Sequence, residues 1–128
     1  MNTKIEGVIL AGGESKRMGT NKSLIKLNGK YLIEHVYDRL KGQVCHISIN
    51  TNQPINQFPK NIQFHDRILN KIGPLAGIQA GLFQAKKNWV QFCPNDCPFL
   101  PISLVKRLSL CIKDEGPTII LPSLYDHL

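Results

Sequence analysis

Acidic residues are scarce in this chain. Nine Asp and Glu stand against sixteen Lys and Arg, a formal net charge of +7. That balance suits an anionic partner: nucleic acid, a membrane surface or a small phosphorylated ligand. Two further shortages narrow the choice. No block of five like charges exists, which excludes a basic nucleic-acid tail. Aromatics are few, at five Phe, three Tyr and one Trp, and they do not interleave with the cations, so the stacking platform of a single-strand binder is missing. Nucleic acid is therefore not an expected partner. No apolar run approaches the roughly 18–20 residues of a membrane-spanning helix, and no membrane partner is expected either. The N-terminal "MNTKIEGVIL" has one Lys and too short an apolar stretch for a secretory signal, which points to a cytoplasmic protein. The four cysteines, Cys45, Cys93, Cys97 and Cys111, then have no oxidising compartment in which to form a disulfide framework. The C-x3-C of "CPNDC" lacks both the tight spacing and the second pair of a zinc site.

What is present is an alternating pattern over 128 residues, the length of a single domain. The run "IEGVIL" (5–10) reads as a strand stopped by Gly12-Gly13. A small strand "LIKL" (24–27) is closed by the turn pair Asn28-Gly29. Leu32, Ile33, Val36 and Leu40 recur at helical spacing in 31–40. The runs 44–50, 61–66 and 89–94 read as further strands. Between the last two lies a helical stretch, 73–87, led by Pro74, where a missing N–H costs nothing. A last helix, 101–114, carries Leu104, Val105, Leu108, Cys111 and Ile112 on one face, and "TIIL" (118–121) reads as a fifth core strand. Strands alternating with helices of this length predict an α/β fold, a Rossmann-like three-layer sandwich around a mostly parallel sheet.

In an open parallel sheet, ligands bind at the carboxyl ends of the strands. Those ends hold Gly12 and Gly13, then Asn50 followed by Thr51 and Asn52, then Asp66, and finally Asp96 in "PNDCP". Each is a common turn former alone; together they furnish a nucleotide pocket on one rim. Glycines let backbone N–H groups approach an anion, and Arg17 and Lys22 add charge against phosphate. Two familiar phosphate loops do not fit. Five residues separate Gly13 from Gly19 and Lys22 follows late, unlike a Walker loop; the glycines are adjacent, unlike G-x-G-x-x-G. Asp96 beside a triphosphate is a natural Mg²⁺ ligand, since Mg²⁺ keeps several waters and often takes one or two carboxylates. His35 reads as a solvated helix residue. With no G-x-S-x-G and no Cys/His pair, the chemistry expected is transfer by positioning and electrostatics.

"LAGGESKRMGTNK" (10–22) resembles the signature loop of the NTP-transferase superfamily. Its Gly-Gly form, with "GPLAGI" (73–78) and "FCPNDCPFLP" (92–101), is most similar to the molybdenum cofactor guanylyltransferases, in order over residues 5–122. The resemblance implies transfer of GMP from GTP to molybdenum-molybdopterin, with Mg²⁺, giving the guanine dinucleotide cofactor and pyrophosphate. It implies GTP contacts at Leu10, Ala11, Gly12, Gly13, Lys22, Asn50, Asp66 and Asp96, metal binding at Asp96, and catalytic roles for Arg17, Lys22 and Asp96. GTP and the molybdopterin acceptor are the implied partners, with proteins that deliver the cofactor or mature molybdoenzymes beside them. Asn21 stands where the family usually has Asp. The family continues past "PSLYDHL" into an acceptor half, so residues 1–128 are expected to form one nucleotidyltransferase domain without that part, binding GTP and transferring poorly. The alternatives are a CTP-using enzyme of the same superfamily and a GTP-binding module without catalysis.

Overall fold

The computed structural model describes residues 3–12, 25–68, 73–113 and 116–122. Four strands form one parallel sheet: β1 (Ile5–Leu10), β4 (Ile47–Asn50), β5 (Gln63–Phe64) and β6 (Trp89–Pro94), in the order β5-β4-β1-β6. β1 lies in the middle, with Leu10 opposite Asn50 on one side and Pro94 on the other. Between β1 and β4 come a two-stranded hairpin, β2 (Lys26–Leu27) with β3 (Lys30–Tyr31), and helix α1 (Leu32–Leu40). The hairpin closes as its sequence demands: Asn28 at φ 52° and Gly29 at φ 81° supply the two left-handed positions of a tight turn.

The period-2 alternation of β1 divides the protein into three layers. Ile5, Gly7 and Ile9 face α1, whose Ile33, Val36 and Leu40 are buried in one core cluster with Ile47, Ile49, Cys93 and Val105. Val8 and Leu10 face α2 (Pro74–Gln84), where Gly81 approaches Val8 and Gly77 approaches Leu10. Helix α3 (Leu104–Ser109) packs on the α1 side through Val105. Gln43 docks it: its Oε1 accepts the Val105 N–H at 2.9 Å while its Nε2 donates to the carbonyls of Arg39 and Pro101. The three-layer α/β sandwich is thus the fold that the alternation predicted.

Several elements differ from their sequence readings. The strand expected at 61–66 is only Gln63–Phe64, because residues 60–62 wind into a 3₁₀ turn. α3 is shorter than 101–114. The Ser109 hydroxyl takes the Lys106 carbonyl at 2.8 Å, a local bond that competes with helix continuation, and Cys111 is exposed beyond the helix end. The stretch 118–121 is not a strand. Its apolar residues suit a pleated surface, but among the described residues nothing pairs with it, and Ile119 is 85% exposed. His35 is not a solvated residue: its Nε2–H donates to the Leu27 carbonyl at 2.7 Å, tying α1 to the hairpin.

Candidate functional site

The carboxyl ends of β1, β4, β5 and β6 share one rim because all four strands run in parallel. Leu10 ends β1, and Ala11 and Gly12 follow it. Ala11 is buried, and its N–H donates to the Asn50 carbonyl at 2.8 Å, so the ladder continues one residue past the strand. Asn50 ends β4 and is 2% exposed. Its Nδ2 donates to Asp66 Oδ1 at 2.9 Å. Asn52 completes the arrangement. Its Nδ2 donates to Asp66 Oδ2 at 3.1 Å, and its Oδ1 accepts the Asp66 N–H at 3.0 Å. The same Nδ2 lies 3.5 Å from the Gly12 carbonyl, at the outer limit of a hydrogen bond. Asn50, Asn52, Asp66 and Gly12 are therefore one connected unit.

Two glycines make room for it. A side chain at Gly12 would meet Asn50 Oδ1 at 2.9 Å, and one at Gly77 would collide with the same oxygen. Gly77 belongs to the "GPLAG" stretch that opens α2. That helix begins at the rim, with Gly73 at φ 62° turning the chain into it and Pro74 at the first position. It runs back along the sheet until Gln84 Nε2 reaches Ser48 Oγ at 3.0 Å. The positive end of its dipole thus faces the strand ends, where an anion gains most from it.

Asp96 follows β6 and is exposed on the same rim. The Cys97 thiol lies 4.0 Å from its Oδ1, and burial together with the Asp96 carboxylate pushes the Cys97 pKa up. Behind it, burial pushes the Cys93 thiol up to about 12, so Cys93 is packing and not a nucleophile. A solvent-facing carboxylate fits Mg²⁺, which asks for one or two protein oxygens and fills the rest of its shell with water and phosphate. Among the described residues no cluster of three metal-ligating side chains exists.

The structure brings together the strand-end residues read from the sequence: Leu10, Ala11, Gly12, Asn50, Asp66 and Asp96. Gly13, Arg17 and Lys22 lie outside the described residues. Two further residues join the rim. In the sequence Asn52 stands as a neighbour of Asn50, and its place two residues past a strand-ending Asn is the signal that points to it. In the sequence Gly77 belongs to a helical pattern and to the "GPLAGI" stretch that carries the family resemblance, and its close approach to Asn50 is visible only in the fold.

Comparison with known proteins gives the family and the fold. The model of the MobA-like NTP transferase domain matches residues 7–127. A molybdenum cofactor guanylyltransferase of Aliivibrio salmonicida (strain LFI1238) is 40% identical over 115 residues, covering 88% of this chain and 59% of the relative. One from Yersinia pestis (strain Pestoides F) is 48% identical over 111 residues, covering 84% of this chain and 57% of its own length. The chain thus spans less than two thirds of the length of the curated relatives it matches. Among solved structures, the crystal structure of Rv0371c from Mycobacterium tuberculosis H37Rv superposes with a TM-score of 0.65 at 16% identity, over 83% of this chain and 59% of that one, a likeness of fold. With a match along nearly the whole sequence and the strand-end rim in place, the chain belongs to the MobA-like NTP transferase domain family.

Proposed function

We propose that this protein transfers GMP from GTP to molybdenum-molybdopterin, forming the guanine dinucleotide cofactor and releasing pyrophosphate. The observation that carries this reading is the Asn50–Asp66–Asn52 unit beside Gly12, with Asp96 on the same rim. Strong similarity to guanylyltransferases over most of the chain supports the choice of nucleotide and acceptor.

In this reading the nucleoside end lies against Asn50 and Asp66. The backbone of Leu10, Ala11, Gly12 and Gly13 follows the phosphates. Lys22 and Arg17 neutralise phosphate charge, Lys as a mobile point charge and Arg as a planar fork. The N-terminus of α2 adds a fixed positive potential at the rim. Asp96 would hold Mg²⁺, which when bound supplies neutralisation of the charge that builds on pyrophosphate as it leaves. The residues of the rim do little covalent work. They hold donor and acceptor so that an acceptor phosphate oxygen approaches the α-phosphorus in line with the departing oxygen. The αP–O bond to pyrophosphate breaks as the new P–O bond forms. Proteins that supply the molybdopterin or take the finished cofactor belong to this proposal as partners.

The test is pyrophosphate release from GTP with and without molybdopterin, on the wild-type chain and on Asp96→Asn. Slow release that requires the acceptor, and that falls at least tenfold in Asp96→Asn, is expected. GTP binding with no acceptor-dependent release would overturn the transferase reading and leave a nucleotide-binding module.

A further inference from the structure

Asp66 sits where the sheet has nearly run out. β5 is two residues long, and its ladder pairs only Gln63 with Ile49 and Phe64 with Asn50. One further backbone bond, from the Thr51 N–H to the Phe64 carbonyl at 2.9 Å, closes that edge. Beyond Phe64 the parallel ladder no longer fixes the chain. The backbone of Asn50 is held by β1 on its other side, whereas Asp66 has no such neighbour among the described residues. A carboxylate in that place would sample several rotamers unless something else held it.

Asn52 supplies the hold. One primary amide bonds Asp66 twice, accepting its N–H and donating to Oδ2, and so closes a ring through the Asp66 backbone and side chain. Such a ring fixes the χ1 of Asp66 as well as its main chain. Asn50 takes the other carboxylate oxygen. With both oxygens engaged by amide donors, the plane of the carboxylate is set, and the lone pairs left over point in defined directions. The Asn52 amide also lies against the Gly12 carbonyl, so the orientation of Asp66 is referred to the loop that follows β1.

We infer that Asn52 is a positioning residue: it orients the Asp66 carboxylate for the nucleoside end of the ligand without touching the ligand's reacting atoms. The inference rests on the nucleotide reading of this rim and deepens it. Asn52 is exposed, so its loss leaves the core intact. A hydrogen bond to a charged group contributes more than a neutral one, and a doubly bonded brace more again.

Two readouts test it. The first is amide-proton exchange at Asp66 in the ¹⁵N-labelled chain, which needs no ligand. The second is calorimetric GTP affinity, with Mg²⁺, in wild type, Asn52→Ala, Asp66→Ala and the double variant. Asn52→Ala is expected to speed Asp66 exchange at least tenfold and to weaken GTP about tenfold, with little change in the melting midpoint. In the Asp66→Ala background the same change is expected to cost nothing further, because the residue acts through Asp66. Asn52→Asp keeps the acceptor for the Asp66 N–H and turns the donor into a second carboxylate, so it is expected to weaken GTP more than alanine does. Unchanged exchange at Asp66, or an equal loss of affinity with and without Asp66, would overturn the inference. If the wild type binds no GTP at all, the nucleotide reading fails, and the exchange measurement still decides whether Asn52 braces Asp66.

Discussion

Gly77 lies against Asn50. The helix that covers this end of the sheet comes so close to the Asn50 side chain that a methyl group on Gly77 would overlap Oδ1 and approach Leu10 Cδ2 to 2.9 Å. Asn50 is itself buried, at the end of β4 and next to the central strand.

Gly77→Ala sets two effects against each other. Within a helix, alanine is favoured over glycine by about 1 kcal/mol. Overpacking a site bounded by a buried amide and a leucine costs about 1–3 kcal/mol, and the Asn50 amide cannot retreat without releasing Asp66. Overpacking is expected to win, so the urea midpoint falls and GTP binding weakens with it. Gly42→Ala is the control. Its Cβ would meet nothing within 4 Å, and its φ is not positive, so no loss is expected there.

Local patterns in the sequence carried far. The apolar run of β1, the helical spacing of α1, the Asn28-Gly29 turn and Pro74 at the head of α2 are each fixed by near neighbours, and each is found where its pattern put it. The rule that ligands gather at strand ends singles out Gly12, Asn50, Asp66 and Asp96, and the parallel sheet does carry these residues to one edge, because that placement depends on strand direction alone. What escaped is what distance in sequence hides. The Lys86 and Lys87 N–H groups find their acceptor in Glu6, some 80 positions earlier. Gly77 meets Asn50 only after the crossover is made. The stretch 118–121 shows the converse: its strand-like residues meet no partner strand among the described residues and form none.

Glu6 is 5% exposed, and its Oε2 accepts the N–H groups of Lys86 and Lys87 at 2.8 Å each. It holds the chain as it leaves α2 for β6, at the opposite end of β1 from Gly12. Glu6→Ala removes the acceptor for both donors and is expected to cost about 2–3 kcal/mol. Glu6→Gln keeps an oxygen there and is expected to cost about 1 kcal/mol. Urea unfolding of the two variants measures the difference, and a loss below about 0.5 kcal/mol for alanine would show the bonds to be replaceable by water.

Cys93 is 1% exposed, and burial raises its thiol from an ordinary 9.0 to about 12. Between those values the unfolded chain gives up its proton while the folded chain keeps it. The folded state then binds more protons, so stability falls as pH rises from about 9 to about 12. Below pH 9 this residue adds no pH dependence. Cys93→Ala is expected to flatten the alkaline slope of the unfolding free energy, whatever its effect on absolute stability. In native protein at pH 8 the exposed Cys111 is expected to be alkylated by iodoacetamide and Cys93 only after unfolding, as peptide mass mapping would read.

On the function proposed above, the rim formed by Gly12, Asn50, Asp66 and Asp96 binds GTP together with Mg²⁺. A thermal-shift titration with GTP, CTP, ATP and UTP, each with Mg²⁺ and with EDTA, tests it most directly. A ligand at 100 times its dissociation constant adds about 2.7 kcal/mol, which moves the midpoint of a domain this size by several degrees. Such a shift is expected for GTP, dependent on Mg²⁺ and absent from the other three. A cooperative melt that no nucleotide moves, or one that CTP moves as far as GTP, would contradict it.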